Sequence, residues 1–253
     1  HIDTAIYAAK SGAAIFIEKP LDCSLKRFHT LAKLIDQKNL KCMIGYQMRY
    51  HPGYKKVREL VTYGSLGKII YADFHFGEWL PGMHPYEDYK QMYSSKKKLG
   101  GGVLMDMTHE LDLATWFFGD FIKSTSILKT SPYLKTETTN VANALVEFKK
   151  KTTVYFNLNY FEKPYRREIK IFGSKGKVSL DLINCKFQLF YGNKKITKNY
   201  DVNYDHNSMY LEQNKYVIKN IKAHKNSFND VSFSEKVIKL ANSIQNNNIL
   251  KKR

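Results

Sequence analysis

The chain has 253 residues, of which 43% are apolar and 14% aromatic, so it can bury a substantial core in one domain or two. No apolar run approaches the roughly 20 residues that span a bilayer, and the three cysteines lack metal-ligand spacing. The sequence therefore predicts a cytoplasmic protein with reduced thiols, no membrane segment and no metal site. Its net charge of +18 favours anionic ligands, but no nucleic-acid-binding signature accompanies that charge, and we expect no nucleic-acid partner.

The first 48 residues alternate between helices and apolar runs of strand length. A helix opens the chain and ends at Gly12, and the apolar run Ala13–Glu18 follows it. A second helix from about Ser24 to near Asn39 precedes the next predicted strand, Lys41–Tyr46. This alternation is typical of a parallel sheet covered by helices. Because so few residues cannot complete a doubly wound domain, we expect residues 1–48 to be the C-terminal part of one.

Residues 49–253 have a different character, which predicts an α+β domain with a large, mostly antiparallel open sheet. A helix at about Gly53–Tyr63 and a strand at Lys68–Phe76 are followed by an aromatic loop and a helix that ends near Phe118. Period-two alternation and turn residues then predict six strands, at Ile122–Thr130, Asn140–Phe148, Thr152–Tyr160, Glu168–Phe172, Lys177–Leu182 and Phe187–Phe190. Two closing helices, about Asn207–Ala223 and Ser234–Asn246, are expected to cover the sheet or to pack back on residues 1–48.

The helix before Phe118 is preceded by three glycines, Gly100 to Gly102, and carries Asp106 and His109 three residues apart. This spacing predicts that both side chains lie on one helix face. The apolar residues Leu104, Met107 and Leu111 form a different face, which is expected to pack inward. A carboxylate and an imidazole in this arrangement suit proton transfer at neutral pH. The alternative is that Asp106 only complements the helix dipole and that His109 is a surface residue.

Polar residues follow both predicted strands of the first segment. Glu18, Lys19 and Pro20 close the first strand, and Gln47 and Arg49 follow the second. In open parallel sheets, ligands bind at the carboxyl ends of the strands, which makes these residues candidates for a binding site. Alternatively, Lys19 is a solvated residue at a strand end.

Read together, these segments resemble the glucose–fructose oxidoreductase / inositol dehydrogenase (Gfo/Idh/MocA) family of NAD(P)-dependent sugar oxidoreductases, over essentially the whole chain. The resemblance is carried by Glu18-Lys19-Pro20, Arg49–Tyr54, Gly64–Lys68, Gly100–Gly102 with Asp106, His109 and Asp112, and Phe172–Lys177. The stretch from Leu80 through His84-Pro-Tyr-Glu-Asp-Tyr to Tyr93-Ser looks like a subgroup that is often encoded with surface-polysaccharide and sialic-acid-like sugar genes.

The resemblance implies roles for individual residues. Lys19 would lie beside the nicotinamide ring and stabilise developing alkoxide charge, His109 would be the general base, and Asp106 would orient or tune its imidazole. Glu18, Lys19, Pro20, Gln47 and Arg49 would contact NAD or NADP. Many family members space the aspartate and histidine four residues apart, whereas this chain spaces them three apart.

The aromatic loop is the predicted contact for a sugar or nucleotide-sugar substrate. Its stacking faces and polar groups belong to Trp79, His84, Tyr86, Asp88, Tyr89 and Tyr93, of which all but Asp88 are the residues we assign to the substrate. Such a loop can also simply pack against its own domain.

The family places the cofactor pyrophosphate on a G-x-G-x-x-G turn, and these 253 residues contain no such motif. They therefore predict the remnant of a Rossmann dinucleotide-binding domain in an N-terminally truncated oxidoreductase, with weak or no cofactor binding and little turnover. The resemblance also predicts a homo-oligomer, a dimer or a tetramer, formed through the C-terminal sheet. The alternative function is a non-catalytic binding or assembly module that uses this sheet.

Overall fold

A computed structural model describes residues 1–192, 194–199, 205–223 and 231–251. The chain divides into two compact units. The first unit comprises His1–His51 and Asp205–Leu240, and the second comprises Pro52–Tyr204 and Ala241–Arg253. Among the described residues, no helix has the length and the apolar character needed to cross a membrane.

The elements alternate early in the chain and become strand-rich later, as the sequence predicts. The helices are α1 (Ile2–Lys10), α2 (Phe28–Gln37), α3 (Pro52–Thr62), α4 (Leu80–Met83), α5 (Val103–Asp106), α6 (Thr108–Phe118), α7 (Asn207–Lys222) and α8 (Val231–Asn246). The strands are β1 (Ile15–Glu18), β2 (Cys42–Gly45), β3 (Ile69–Gly77), β4 (Phe121–Lys129), β5 (Val141–Phe148), β6 (Thr152–Asn159), β7 (Arg166–Gly173), β8 (Gly176–Asp181), β9 (Lys186–Tyr191) and β10 (Lys194–Asn199).

In the first unit, β1 and β2 pair in parallel with a register that runs from Ile15 opposite Cys42 to Glu18 opposite Gly45. The two strands therefore end side by side, and the residues that follow Glu18 and Gly45 leave the sheet at the same edge. The helix α1 packs against β1 and α2 through a buried stripe at Ile2, Ala5, Ile6 and Ala9.

The second unit is built on an eight-stranded sheet with the order β10-β9-β8-β7-β3-β6-β5-β4. The neighbours β3 and β6 are parallel, and all other neighbouring strands are antiparallel, which confirms the predicted sheet. The sequence did not predict β10, because its Lys- and Asn-rich residues lack the apolar alternation of a half-buried strand.

One face of this sheet forms the core of the second unit. The inward residues of β3 and β6 include Phe74 and Phe156, whose rings lie 5.4 Å apart. The helix α6 covers them with Phe117 and Phe118, whose ring centroids lie 6.3 and 6.4 Å from that of Phe74. The opposite face carries the polar side chains that alternate with the core residues.

The closing helices were expected to cover the sheet or to pack back on residues 1–48, and the two helices differ in this respect. The helix α7 belongs to the first unit, where it packs against a short 3-10 helix, Gln47–Tyr50. Its described side chains bury only Met209 and Gln213, which is too narrow an apolar face for a sheet. The end of α8 does meet the sheet: the Ser126 hydroxyl on β4 donates a 2.7 Å hydrogen bond to the carbonyl oxygen of Ile244.

Candidate active site

The strand ends of the first unit gather Glu18, Lys19 and Pro20 beside Gly45. The Glu18 carboxylate lies directly over this glycine, since a Cβ there would be 3.0 Å from its Oε1. Burial raises the pKa of Glu18, while the backbone N–H and the charge of Lys19 oppose that rise. The ring of His1 approaches the carbonyl oxygens of Glu18 and Pro20, each at 3.0 Å from Nδ1.

The residues after β2 are held inside the first unit. Gln47 Nε2 donates a 3.0 Å hydrogen bond to the hydroxyl of Tyr210. Arg49 is buried, with its guanidinium carbon 4.0 Å from the ring centroid of Phe233 and 5.4 Å from that of Tyr46. These cation–π contacts stabilise the turn after β2, so Arg49 has a structural role whether or not it also meets a cofactor.

In the second unit, the three glycines allow a close approach between two loops. Gly100 and Gly102 have φ values of +76° and +112°, and a Cβ at Gly101 would collide with the carbonyl oxygen of Tyr93. The N–H of Gly102 donates a 3.0 Å hydrogen bond to the carbonyl oxygen of Ser94. The glycines therefore seat Tyr93 and Ser94 at the start of α5.

The helix that follows is interrupted, which corrects the prediction of one continuous helix. Asp106 ends α5 and His109 lies in α6, with Met107 between them at φ −93° and ψ 30°. The inward stripe of Leu104, Met107 and Leu111 is confirmed. The alternative that His109 is a surface residue is wrong, because His109 is 5% exposed and α6 is buried nearly all round.

Asp106 is the centre of a hydroxyl cluster that we define as Tyr93, Ser94 and Tyr160. The Tyr93 hydroxyl donates to Oδ1 of Asp106, and the hydroxyls of Ser94 and Tyr160 donate to Oδ2 at 2.9 and 3.0 Å. Burial, reinforced by the charge of Asp106, raises the pKa of both tyrosines. The tyrosines therefore stay protonated as donors, and the carboxylate is fixed in place.

A buried ion pair joins α6 to the sheet. Arg167 Nε lies 2.6 Å from Glu110 Oε1, and the two side chains are 7% and 1% exposed. The guanidinium of Arg167 also stacks over Phe76 at 4.5 Å. Burial is the largest single influence on the pKa of Arg167 and lowers it, but the charge and hydrogen bond of Glu110, together with Tyr54 and Tyr165, outweigh burial and raise that pKa. Glu110 is next to His109, so this pair fixes the turn that carries the imidazole.

Glu78 brings another carboxylate to this part of the second unit. It follows β3, and its N–H donates a 3.1 Å hydrogen bond to the carbonyl oxygen of Asn159. Burial and the charge of Asp106 raise the pKa of Glu78, and Arg167 and His84 oppose that rise. These charges act on one another, so Glu78, Asp106 and Arg167 form one electrostatic group.

The predicted substrate residues of the aromatic loop differ in their contacts and in their exposure to solvent. Lys163 Nζ lies 4.8 Å from the ring centroid of Trp79, and the exposed His84 and Tyr86 are joined by a 3.0 Å hydrogen bond. The N–H of Lys135 donates to the Tyr89 hydroxyl at 3.4 Å. The structure thus brings Tyr93 to Asp106 and leaves Tyr86 on the surface.

Sequence reasoning missed Ser94, Tyr160, Glu78, Glu110 and Arg167. One of them carried a readable signal: Arg167 occupies the inward register of β7, in step with Ile169 and Ile171, and a charge there requires a buried partner. Within the described ranges, no group of three or more His, Cys, Asp or Glu side chains is placed so that it could hold a metal ion.

The sequence model of the GFO/IDH/MocA C-terminal domain matches residues 54–179. The inositol 2-dehydrogenase of Rhizobium meliloti (strain 1021) is 25% identical over 189 residues, which are 72% of this chain and 54% of that enzyme. The myo-inositol 2-dehydrogenase of Thermotoga maritima is 25% identical over 232 residues, which are 88% of this chain and 66% of that enzyme. The chain therefore spans about half to two thirds of the length of these relatives.

Among solved structures, a levoglucosan dehydrogenase in complex with NADH and levoglucosan has a TM-score of 0.88 and 15% identity. The likeness covers 99% of this chain and 76% of that one. It confirms the predicted fold class. With the matched domain and the inositol dehydrogenase relatives, it supports the predicted family.

Proposed function

We propose that this chain, whose residues 54–179 match the GFO/IDH/MocA C-terminal domain, is part of an oxidoreductase that transfers a hydride between a nicotinamide cofactor and a hydroxyl or keto group of a sugar or nucleotide sugar. The observation that carries the proposal is the buried acid–base group at the junction of α5 and α6, where the hydroxyl cluster fixes Asp106 three residues before His109. Such a group suits removal of a hydroxyl proton.

In this proposal, each residue acts on the proton or on the charge of the reacting oxygen. Nδ1 of His109 is fully buried, so we assign Nε2 as the atom that takes the hydroxyl proton. Asp106 orients the turn that carries this imidazole, and Lys19 stabilises the negative charge that develops on the oxygen. The nicotinamide, when bound, supplies the hydride acceptor.

The residues at the ends of β1 and β2 fit a dinucleotide in chemistry, since Glu18, Lys19 and Pro20 lie at the carboxyl edge of a parallel pair. The proposed cofactor is NAD or NADP. Because the 253 residues contain no G-x-G-x-x-G, we expect this chain alone to bind either dinucleotide weakly and to turn over little. Calorimetric titration with NADH and NADPH checks this, and micromolar affinity would contradict it.

The experiment that tests the function joins the chain to a G-x-G-x-x-G segment, such as that of an inositol dehydrogenase relative, and follows nicotinamide reduction with a panel of sugars and inositols. We expect reduction with at least one of them, and we expect Lys19→Ala to abolish it. The matched control is Lys26→Ala, which removes an exposed lysine of the same unit. The function is wrong if no panel member is oxidised, or if both lysine variants behave alike.

We also propose that the polar face of the eight-stranded sheet pairs with a second copy of the chain. On this face the cations Arg166 and Lys170 alternate with Asp73 and Glu168, a pattern that a two-fold related copy can match. The rings of Tyr71 and Phe172 stack there at 4.2 Å and add apolar area.

Sedimentation velocity tests the self-association. Leu145→Glu places a charge on this face, at a residue that is 48% exposed, and is expected to give monomers. The control, Leu211→Glu on α7, alters a leucine that is 52% exposed and is expected to leave the oligomer intact. A monomeric native chain contradicts the proposal and removes the basis for a sheet-mediated assembly module.

A further inference from the structure

Glu78 is a half-buried carboxylate that has no part in the roles proposed for His109, Asp106 and Lys19. The hydrogen bond from its N–H to Asn159 fixes the backbone of Glu78 against the end of β6. Tyr160, the next residue, donates its hydroxyl to Asp106. Glu78 and the hydroxyl cluster are thus held by adjacent residues of one strand end.

The carboxylate of Glu78 differs from the other acidic side chains around it. Glu110 is engaged by Arg167, Asp106 by the hydroxyl cluster, and Glu162 by His75 and Asn159 at 2.6 and 2.8 Å. Within the described ranges, the carboxylate of Glu78 accepts no hydrogen bond, although the residue is half-buried and therefore only partly hydrated. The carboxylate oxygens of Glu78 are not fully buried, so they can accept hydrogen bonds from a ligand.

A structural role does not account for this arrangement. An anchoring carboxylate makes hydrogen bonds within its own fold, as Glu110 does with Arg167. The charge of Arg167 lowers the pKa of Glu78, while Nε of Arg167 is bonded to Glu110 and its guanidinium lies over Phe76. The carboxylate of Glu78 consequently retains acceptor capacity on its solvent-accessible side.

We propose that Glu78 is a specificity-determining residue that binds the hydroxyl groups of a polyol ligand through its carboxylate. This assignment rests on the proposed function, and it adds a residue that recognises hydroxyls away from the reacting carbon. A carboxylate has two oxygens and can accept from two neighbouring hydroxyls at once, which suits cyclic polyols with vicinal diols. The assignment favours neutral polyols at this position and disfavours an anionic group, since Asp106 already supplies negative charge.

The test measures binding of myo-inositol and levoglucosan to the 253-residue chain by NMR titration. We expect Glu78→Gln to weaken binding of at least one probe about tenfold, since a charged acceptor is replaced by a neutral amide. Glu78→Asp keeps the charge but withdraws it by one methylene, and its affinity should lie between those of Glu78→Gln and the native chain. Glu59→Gln on α3 is the matched control and is expected to bind as the native chain does.

The outcomes separate the two proposals. Equal affinities of the native chain and Glu78→Gln overturn the assignment of Glu78 and leave the proposed function standing. If the native chain binds neither probe, both the assignment and a polyol-binding second unit are overturned. Denaturant unfolding of Glu78→Gln at pH 7 excludes misfolding as the cause of weaker binding.

Discussion

The hydroxyl of Tyr160 donates a 3.0 Å hydrogen bond to Oδ2 of Asp106, which lies 54 residues earlier in the chain. This bond ties the end of β6 to the end of α5. Since α6 begins two residues after Asp106 and carries His109 as its second residue, the bond sets where the helix of the candidate base begins. The position of the acid–base group thus depends on the sheet as well as on the glycine segment.

We expect Tyr160→Phe to lower the free energy of unfolding by about 1–3 kcal/mol, because the ring is retained while a buried donor to a carboxylate is lost. Denaturant titration measures the change. The control is Tyr155→Phe, which removes an exposed hydroxyl bonded to Asn143 and should change stability by less than about 0.5 kcal/mol. Equal effects would show that the hydroxyl cluster does not hold Asp106.

The Arg167–Glu110 pair is expected to behave as a coupled buried unit. Either Arg167→Met or Glu110→Leu alone leaves a buried charge without its partner and should cost about 3–5 kcal/mol. The double variant should cost clearly less than the sum of the two, because both charges are removed together. A double-mutant cycle by urea unfolding measures this coupling, and strictly additive effects would contradict the pairing.

Gly101→Ala is expected to destabilise the second unit by about 1–3 kcal/mol or more, since the new Cβ would collide with the carbonyl oxygen of Tyr93. The matched substitution Gly82→Ala meets only the Trp79 ring at 3.4 Å, an ordinary contact, and should be neutral or slightly stabilising. Thermal unfolding compares the two. A tolerated Gly101→Ala would mean that the loop of Tyr93 and Ser94 is not seated against the glycines.

Two glutamates of the second unit are expected to have opposite effects on stability as a function of pH. Burial raises the pKa of Glu78 in the folded state. The contribution of Glu78 to the free energy of unfolding is therefore fully present below the pKa of the unfolded state, and it is lost as pH rises through the pKa of the folded state. Glu78→Gln should therefore be more stable than the native chain at pH 7. This advantage should fade as pH falls through the folded-state pKa of Glu78 toward the ordinary value of 4.5.

Glu168 provides the contrast. Burial raises the pKa of Glu168, but the hydrogen bonds from Arg166 and Lys170 outweigh burial and lower that pKa. Its stability contribution is present above its unfolded pKa and is lost as pH falls through the folded one, so Glu168→Gln should be less stable at pH 7 and equal at low pH. Urea unfolding between pH 3 and pH 7 measures both variants. Parallel pH profiles would contradict the environments described for these two carboxylates.

Local patterns were enough to predict most elements. The apolar runs that became β1 and β2, and the period-two alternation of β6, specify burial directly in the sequence. The break between α5 and α6 was not predictable in this way. The stripe of Leu104, Met107 and Leu111 fits one continuous helix, and the interruption at Met107 leaves no trace in that pattern.

The candidate site was only partly predictable, for a related reason. Asp106 and His109 are recognisable because they are close in sequence and follow three glycines. Tyr160 and Arg167 reach α5 and α6 from strands more than 50 residues later, and pairing over such a separation depends on the register of the sheet. The sequence likewise left open whether α7 covers the sheet or packs back on residues 1–48, because a helix with few buried residues does not specify its partner.

The most direct test of the central claim is the rate of nicotinamide reduction by a polyol in the His109→Gln variant of the chain joined to a G-x-G-x-x-G segment. If His109 takes the hydroxyl proton, the substitution should lower kcat by about 10²–10⁴. The control His29→Gln, which alters an exposed histidine of α2, should leave kcat unchanged. A His109→Gln variant that retains native kcat would contradict the account.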